Sequence, residues 1–224
     1  MEHKCIEVGM RANKIHGDKG FTLPELLVAI AVFGIVISAI YATYASSQRS
    51  YARVSEISYM VQNIRAGIAV MEKEIRMAGY DPTNSANAGI TNAGSSSITI
   101  TQDLNADGDT SDTDESVTFS LADSDGDGDT DLVRNNVLLA ENIDALNFVY
   151  LDENGAVTAN LSDIRSVQIT IVARTAKADK GYTDTQSYAN QQGTVILVAQ
   201  NDHFRRRRLT SEVRCRNLGL WRQG

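Results

Sequence analysis

The chain is poor in the residues that most catalytic chemistry needs. Its 224 residues include three histidines, His3, His16 and His203, and two cysteines, Cys5 and Cys215. No Ser/His/Asp spacing, nucleotide-binding loop or zinc-ligand pattern is present, so an enzyme reading has little support. Asp202-His203 by itself reads as a turn-like structural pair. Two cysteines allow at most one disulfide. Charge is missing from two stretches. No charged residue lies between Glu25 and Arg49, and no Lys or Arg lies between Asp103 and Asp131. No internal repeat of whole-domain size is visible.

What is present is acidic overall, with a formal net charge of −7. A chain of that sign is a poor general nucleic-acid binder. The acidity is concentrated in residues 103–131, whereas Arg205, Arg206, Arg207, Arg208, Arg214, Arg216 and Arg222 crowd the last twenty residues. Hydrophobic content of 42% and charged content of 22% are those of a chain that folds.

The apolar stretch is residues 21–45, FTLPELLVAIAVFGIVISAIYATYA, with Glu25 as its one charge. About 20 apolar residues in a helix span a bilayer core of about 30 Å. Arg11, Lys14 and Lys19 precede it, which holds that side in the cytoplasm and puts the rest of the chain outside. A secretory signal peptide cut near Ala45, or a plain signal anchor, would share these features. Neither accounts for Glu25, because a carboxylate in an apolar span costs roughly 2.5–3.5 kcal/mol. Pro24 is also out of place deep in a helix, but it is tolerated in a first turn. Both residues make sense if Phe21 becomes a new N-terminus.

Gly20-Phe21-Thr22-Leu23-Pro24-Glu25-Leu26-Leu27-Val28 resembles the class III prepilin signal. That resemblance implies cleavage after Gly20 by a prepilin peptidase and N-methylation of Phe21. It also implies that Glu25 meets the N-terminal amine of a neighbouring subunit. A buried carboxylate needs such a cation. Pro24 replaces the commoner aliphatic residue. A start at Met10 would leave an eleven-residue leader that keeps all three basic residues. Cleavage removes Cys5, and Cys215 then reads as a buried free thiol, with pairing between subunits as the alternative.

Past the apolar stretch, Val54, Ile57, Val61, Ile64, Ile68, Met71, Ile75 and Ala78 recur at helical spacing, with charged residues between them. Gly79 and Pro82 then stop the pattern. One helix is predicted from about 21 to 78, on the order of 85 Å at 1.5 Å per residue. Its seam is expected to pack on a sheet. Residues 81–96 and 177–192 read as loops. Strands are predicted at 97–101, 116–121, 145–151, 167–173, 194–199 and 210–216. The expected organisation is a leader at 1–20, a transmembrane half-helix at 21–45, an amphipathic half at 46–80 and a β-rich head at 81–224. The expected fold is α+β, of the type IV pilin kind, with the long helix on an antiparallel sheet.

Two Asp-rich runs have calcium-loop spacing. In the first, Asp103, Asn105 and Asp107 stand at positions 1, 3 and 5, Gly108 at 6, Asp109 at 7, Ser111 at 9 and Asp114 at 12. Alternate residues of a tight turn can aim oxygens at one centre, and calcium takes six to eight. In the second, Asp123, Asp125 and Asp127 repeat the pattern, with Asp129 or Asp131 completing it because Arg134 at position 12 cannot ligate. A solvated acidic loop is the competing reading for both, although so many like charges repel without a cation. The role expected of calcium is structural.

The order of features resembles the PilW-like minor pilins, which are related to the J-type minor pseudopilins of type II secretion. The residues that carry it are GFTLPELLV, DLNADGDTSD, AENIDALNFVYLD and RRRRLTSEVRCRNLGL. The resemblance implies an inner-membrane protein with a cytoplasmic N-terminus that later enters a filament. Implied partners are the peptidase, other minor pilins, the major pilin and the assembly platform. Three roles stay open: a pilus minor pilin that initiates, primes or caps assembly, a secretion pseudopilin, and a DNA-binding or adhesion module. The arginine run invites the DNA reading, but it leads into TSEVRCR and reads as a strand with solvated or loop-bridging arginines.

Overall fold

The computed structural model describes residues 20–219. The predicted leader apart from Gly20, the alternative start at Met10, Cys5 and Arg222 lie outside the described residues. The chain divides into two compact units, Met1–Arg49 and Ser50–Gly224.

One helix, α1 (Leu23–Met77, 55 residues), contributes to both units. It starts at Leu23, where the Glu25 side chain reaches back to cap Thr22, one half of a capping box. The Glu25 carboxylate accepts from Thr22 N and Thr22 Oγ1, both at 2.8 Å. In the first unit the large apolar side chains are exposed, Phe33 and Ile40 among them. The helix is long and apolar enough here to cross a membrane. Two of its hydroxyls return to the helix backbone, Ser38 to Gly34 O and Thr43 to Ala39 O.

In the second unit α1 buries one face: Met60, Ile64, Gly67, Ile68, Met71 and Ile75. The predicted seam began earlier, at Val54, but that side chain is 64% exposed, and Ile57 and Val61 are only partly buried. Period alone allowed either start, and packing selected the face centred on Ile64. The helix ends as expected, with Gly79 at φ +78° and its N–H given to Thr101 O. Asn217 Nδ2 caps the Met77 carbonyl.

Five antiparallel strands form the first sheet in sequence order: β1 (Ile90–Ala93), β2 (Ile98–Thr101), β3 (Ser116–Ala122), β4 (Asp131–Arg134) and β5 (Val137–Ala140). A second sheet has the order β10-β7-β6, built from β6 (Ile143–Leu151), β7 (Ser166–Arg174) and β10 (Arg206–Arg214). A small hairpin joins β8 (Tyr188–Ala189) to β9 (Val195–Leu197). Side chains of both larger sheets, such as Ile98, Phe119, Leu132, Phe148 and Ile169, share one core with α1. Burying each is worth about 1.5–3 kcal/mol. The α+β arrangement of a long helix on antiparallel strands is therefore the one expected.

Several elements differ from expectation. Residues 90–93, placed in a loop, pair with β2. β4 and β5 were not foreseen. They are joined by Asn135 and Asn136 at φ 49° and 63°, the left-handed pair of a tight hairpin turn. β8 lies within the predicted loop 177–192. β10 starts at Arg206 rather than Thr210, because the ladder with β7 extends through the arginine run.

Candidate functional sites: the processing site and the acidic loops

Gly20, Phe21 and Glu25 lie together at the start of α1. Gly20 is exposed with no atom crowding its Cα, and Phe21 is 92% exposed. Gly20–Thr22 are not helical, so the Gly20–Phe21 bond lies in open chain just before a capped helix. Glu25 sits in the first turn, where the helix dipole favours an anion.

In the first acidic loop, Asp103 is fully buried. Its carboxylate accepts from Ala106 N at 2.6 Å, Gly108 N at 3.1 Å and Thr83 Oγ1 at 3.3 Å. Gly108 takes φ +92°, which supplies the predicted sharp bend. Asn105 Nδ2 donates to Asp107 at 2.9 Å and to Asp112 at 2.6 Å, so these three side chains converge. Asp109 and Ser111 bond to each other instead, which holds Asp109 below the usual carboxylate range. Asp114 turns outward to Arg134 at 3.0 Å.

Two residues of this loop were missed in the sequence. Glu115 is 1% exposed and accepts from Leu104 N, Asn105 N and Asp112 N. Asp112 stands beside Asp107, and the Asp107 charge raises its pKa. Asp112 and Glu115 are three apart, like positions 9 and 12, in a loop one residue longer than the usual twelve. That offset was the available signal.

In the second loop, oxygens of Asp123, Asp125 and Asp127 lie within 4.8 Å of one another on the surface. Each carboxylate also holds a backbone N–H, from Gly126, Asp127 and Asp129 respectively. Asp129 points away to Arg174 at 2.9 Å, and burial raises its pKa. Asp131 is buried and closes the loop by accepting from Ser124 Oγ at 2.7 Å and Asn142 N at 3.1 Å. The structure therefore brings together three of the five predicted donors. Hard, clustered oxygens of this kind suit calcium, with water or carbonyls needed to complete the shell.

The arginine run is structural in part. Arg206, 1% exposed at its side chain, meets Asp144 at 2.6 Å, Asp184 at 3.1 Å and Asp202 at 2.6 Å. Arg205 pairs with Asp179 at 2.8 Å and stacks on Tyr182 at 4.1 Å. Arg206 ties the segment between β7 and β10 to the sheet, and Arg205 braces that segment from within. His203 is the one histidine among the described residues, and its Nδ1 faces Tyr182 O at 2.6 Å. The Cys215 thiol is buried, which pushes its pKa up to about 12.

Residues 15–41 match the family model of the prokaryotic N-terminal methylation motif. Residues 116–217, from β3 through β10, match that of the type IV pilus-assembly protein W. No curated protein is significantly similar to the chain. Among solved structures, a type IV-like pilin from Thermus thermophilus is 12% identical, with a TM-score of 0.47 over 70% of this chain and 97% of that one. A methylation motif ahead of an apolar helix and a pilus-assembly protein W match over much of the head together support a PilW-like type IV pilin.

Proposed function

We propose that the chain is a minor pilin that initiates, primes or caps assembly of a type IV pilus. The observation that carries this reading is the union of GFTLPE, a membrane-length helix and the pilus-assembly head in one chain. A prepilin peptidase cuts after Gly20, and Phe21 is methylated. The segment 21–45 anchors the protein in the inner membrane, with the head on the far side. In the filament the exposed side chains of this segment exchange lipid for neighbouring pilins. The Glu25 carboxylate then meets a neighbour's N-terminal amine, which removes the cost of an unpaired charge.

Calcium has a structural place in this proposal. Asp103, Asn105, Asp107 and Asp112 would hold one ion, and Asp123, Asp125 and Asp127 a second. The support is the motif spacing, the convergence of oxygens and the raised pKa of Asp112. When bound, the ion neutralises clustered carboxylates and orders the loops.

The test is deletion of the gene, followed by counting surface pili and assaying secreted proteins. Loss of pili with normal secretion, restored by wild type and not by Glu25→Gln, supports the proposal. Normal piliation with failed secretion contradicts it and makes the chain a pseudopilin.

A further inference from the structure

The two edges of the β10-β7-β6 sheet are treated differently. On the β6 edge two outward groups are taken: Phe148 N donates to Ser95 O at 2.8 Å, and Thr158 N donates to Tyr150 O at 3.0 Å. On the β10 edge, the ladder fixes which residues face out. Thr175 N bonds Arg205 O, and Cys215 N bonds Arg165 O. Arg205 and Cys215 flank β10 at odd-numbered positions and continue its register with β7. In an antiparallel pair such positions alternate, so Leu209, Ser211 and Val213 bond inward to β7. The backbone N–H and C=O of Arg208, Thr210, Glu212 and Arg214 then point away from the sheet. Among the described residues none of these outward groups has a hydrogen-bond partner.

This edge is long, regular and exposed. β10 has nine residues with no bulge in its pairing, and the side chains of Arg207, Arg208, Thr210, Glu212 and Arg214 are exposed. Arg216 follows, also exposed. The exposed charges are thus four arginines to one glutamate, on a chain whose net charge is −7. Basic side chains on an edge repel another basic strand and attract an acidic one.

We propose that β10 is a docking edge for an extended acidic segment of another protein, which adds to the sheet as a fourth strand. Backbone hydrogen bonds to Arg208, Thr210, Glu212 and Arg214 supply the pairing, and the flanking arginines select the acidic partner. The proposal is independent of the pilin reading, since it needs only the geometry of the head.

The test uses the full chain in detergent and two labelled nine-residue peptides, one alternating glutamate with valine and the other lysine with valine. Fluorescence anisotropy reads binding. The acidic peptide binds and the basic one does not. Thr210→Pro removes one outward N–H without breaking the ladder to β7, because proline is tolerated where its nitrogen faces off the sheet. It lowers affinity roughly tenfold at an unchanged melting temperature. Arg208→Glu, which needs no backbone change, weakens the acidic peptide and admits the basic one. Equal binding of both peptides, no binding of the acidic one, or wild-type affinity in a folded Thr210→Pro chain overturns the proposal. So does a concentration-dependent dimer that excludes the peptide, which would make a second copy the occupant.

Discussion

Arg206 Nη1 donates to Asp184 Oδ2 at 3.1 Å, with both side chains all but sealed from water. Asp184 also accepts from Tyr188 OH at 3.0 Å and from Gln186 N at 3.2 Å. The same guanidinium holds Asp144 and Asp202. A single arginine thus joins β6, β10 and the long segment between β7 and β10. Removing it leaves a buried carboxylate without its cation. Arg206→Leu therefore destabilises the head by about 3–5 kcal/mol, whereas Arg207→Leu, at an exposed neighbour, changes stability by less than about 0.5 kcal/mol. Chemical denaturation of the detergent-solubilised chain measures both.

The same pairs set an acid response. Hydrogen bonds from Arg206 hold Asp202 below the usual carboxylate range, and those from Arg205 do the same for Asp179. A carboxylate with a lowered native pKa stabilises the fold fully above its unfolded value, about 3.9, and that stability is lost as pH falls through the native value. Stability is expected to be flat from neutral pH to about pH 5 with respect to these groups, then to drop. In Arg206→Leu the drop is shallower, because Asp202 no longer has a lowered pKa to lose. Melting temperature against pH checks this.

Asp112 behaves in the opposite sense. The Asp107 charge raises its pKa, so its ionisation opposes folding above the unfolded value and the opposition fades as pH falls. Without calcium, Asp112→Asn should leave the melting temperature unchanged or higher at neutral pH. With calcium, wild type should gain stability and Asp112→Asn should gain less. Asp114→Asn, whose parent side chain faces Arg134, should keep the full calcium gain. Melting curves with calcium and with chelator decide. Identical wild-type curves in the two conditions would contradict a calcium site.

The helix makes a further distinction testable. Ile64 is fully buried and Val54 is 64% exposed, although both belong to the same apolar period. Ile64→Ala should cost about 2–5 kcal/mol, and Val54→Ala less than about 1 kcal/mol. The denaturation midpoint of each variant reads the difference.

Much of this architecture was legible in the residues. The stop at Gly79 and the strands at 116–122 and 166–174 follow from glycine and alternation. β4 and β5 were hidden by their length of four residues each and by the acidic run before them, though Asn135-Asn136 was a usable turn signal. β10 was read too short because four consecutive arginines look like solvent-facing loop. Arg206 is instead buried by carboxylates distant in sequence, which no local pattern reveals. In the first acidic loop the spacing picked out Asn105 and Asp107, which meet at Asp112. It could not show that Asp114 would choose Arg134, a partner brought close only by the β3–β4 hairpin.

The processing of the N-terminus bears most directly on the pilin reading. The intact mass of the protein extracted from membranes should match a chain that begins at Phe21, lacks residues 1–20 and carries one added methyl group on the new amine. A mass that retains the leader, or one that begins near residue 46 with the apolar helix removed, would contradict it.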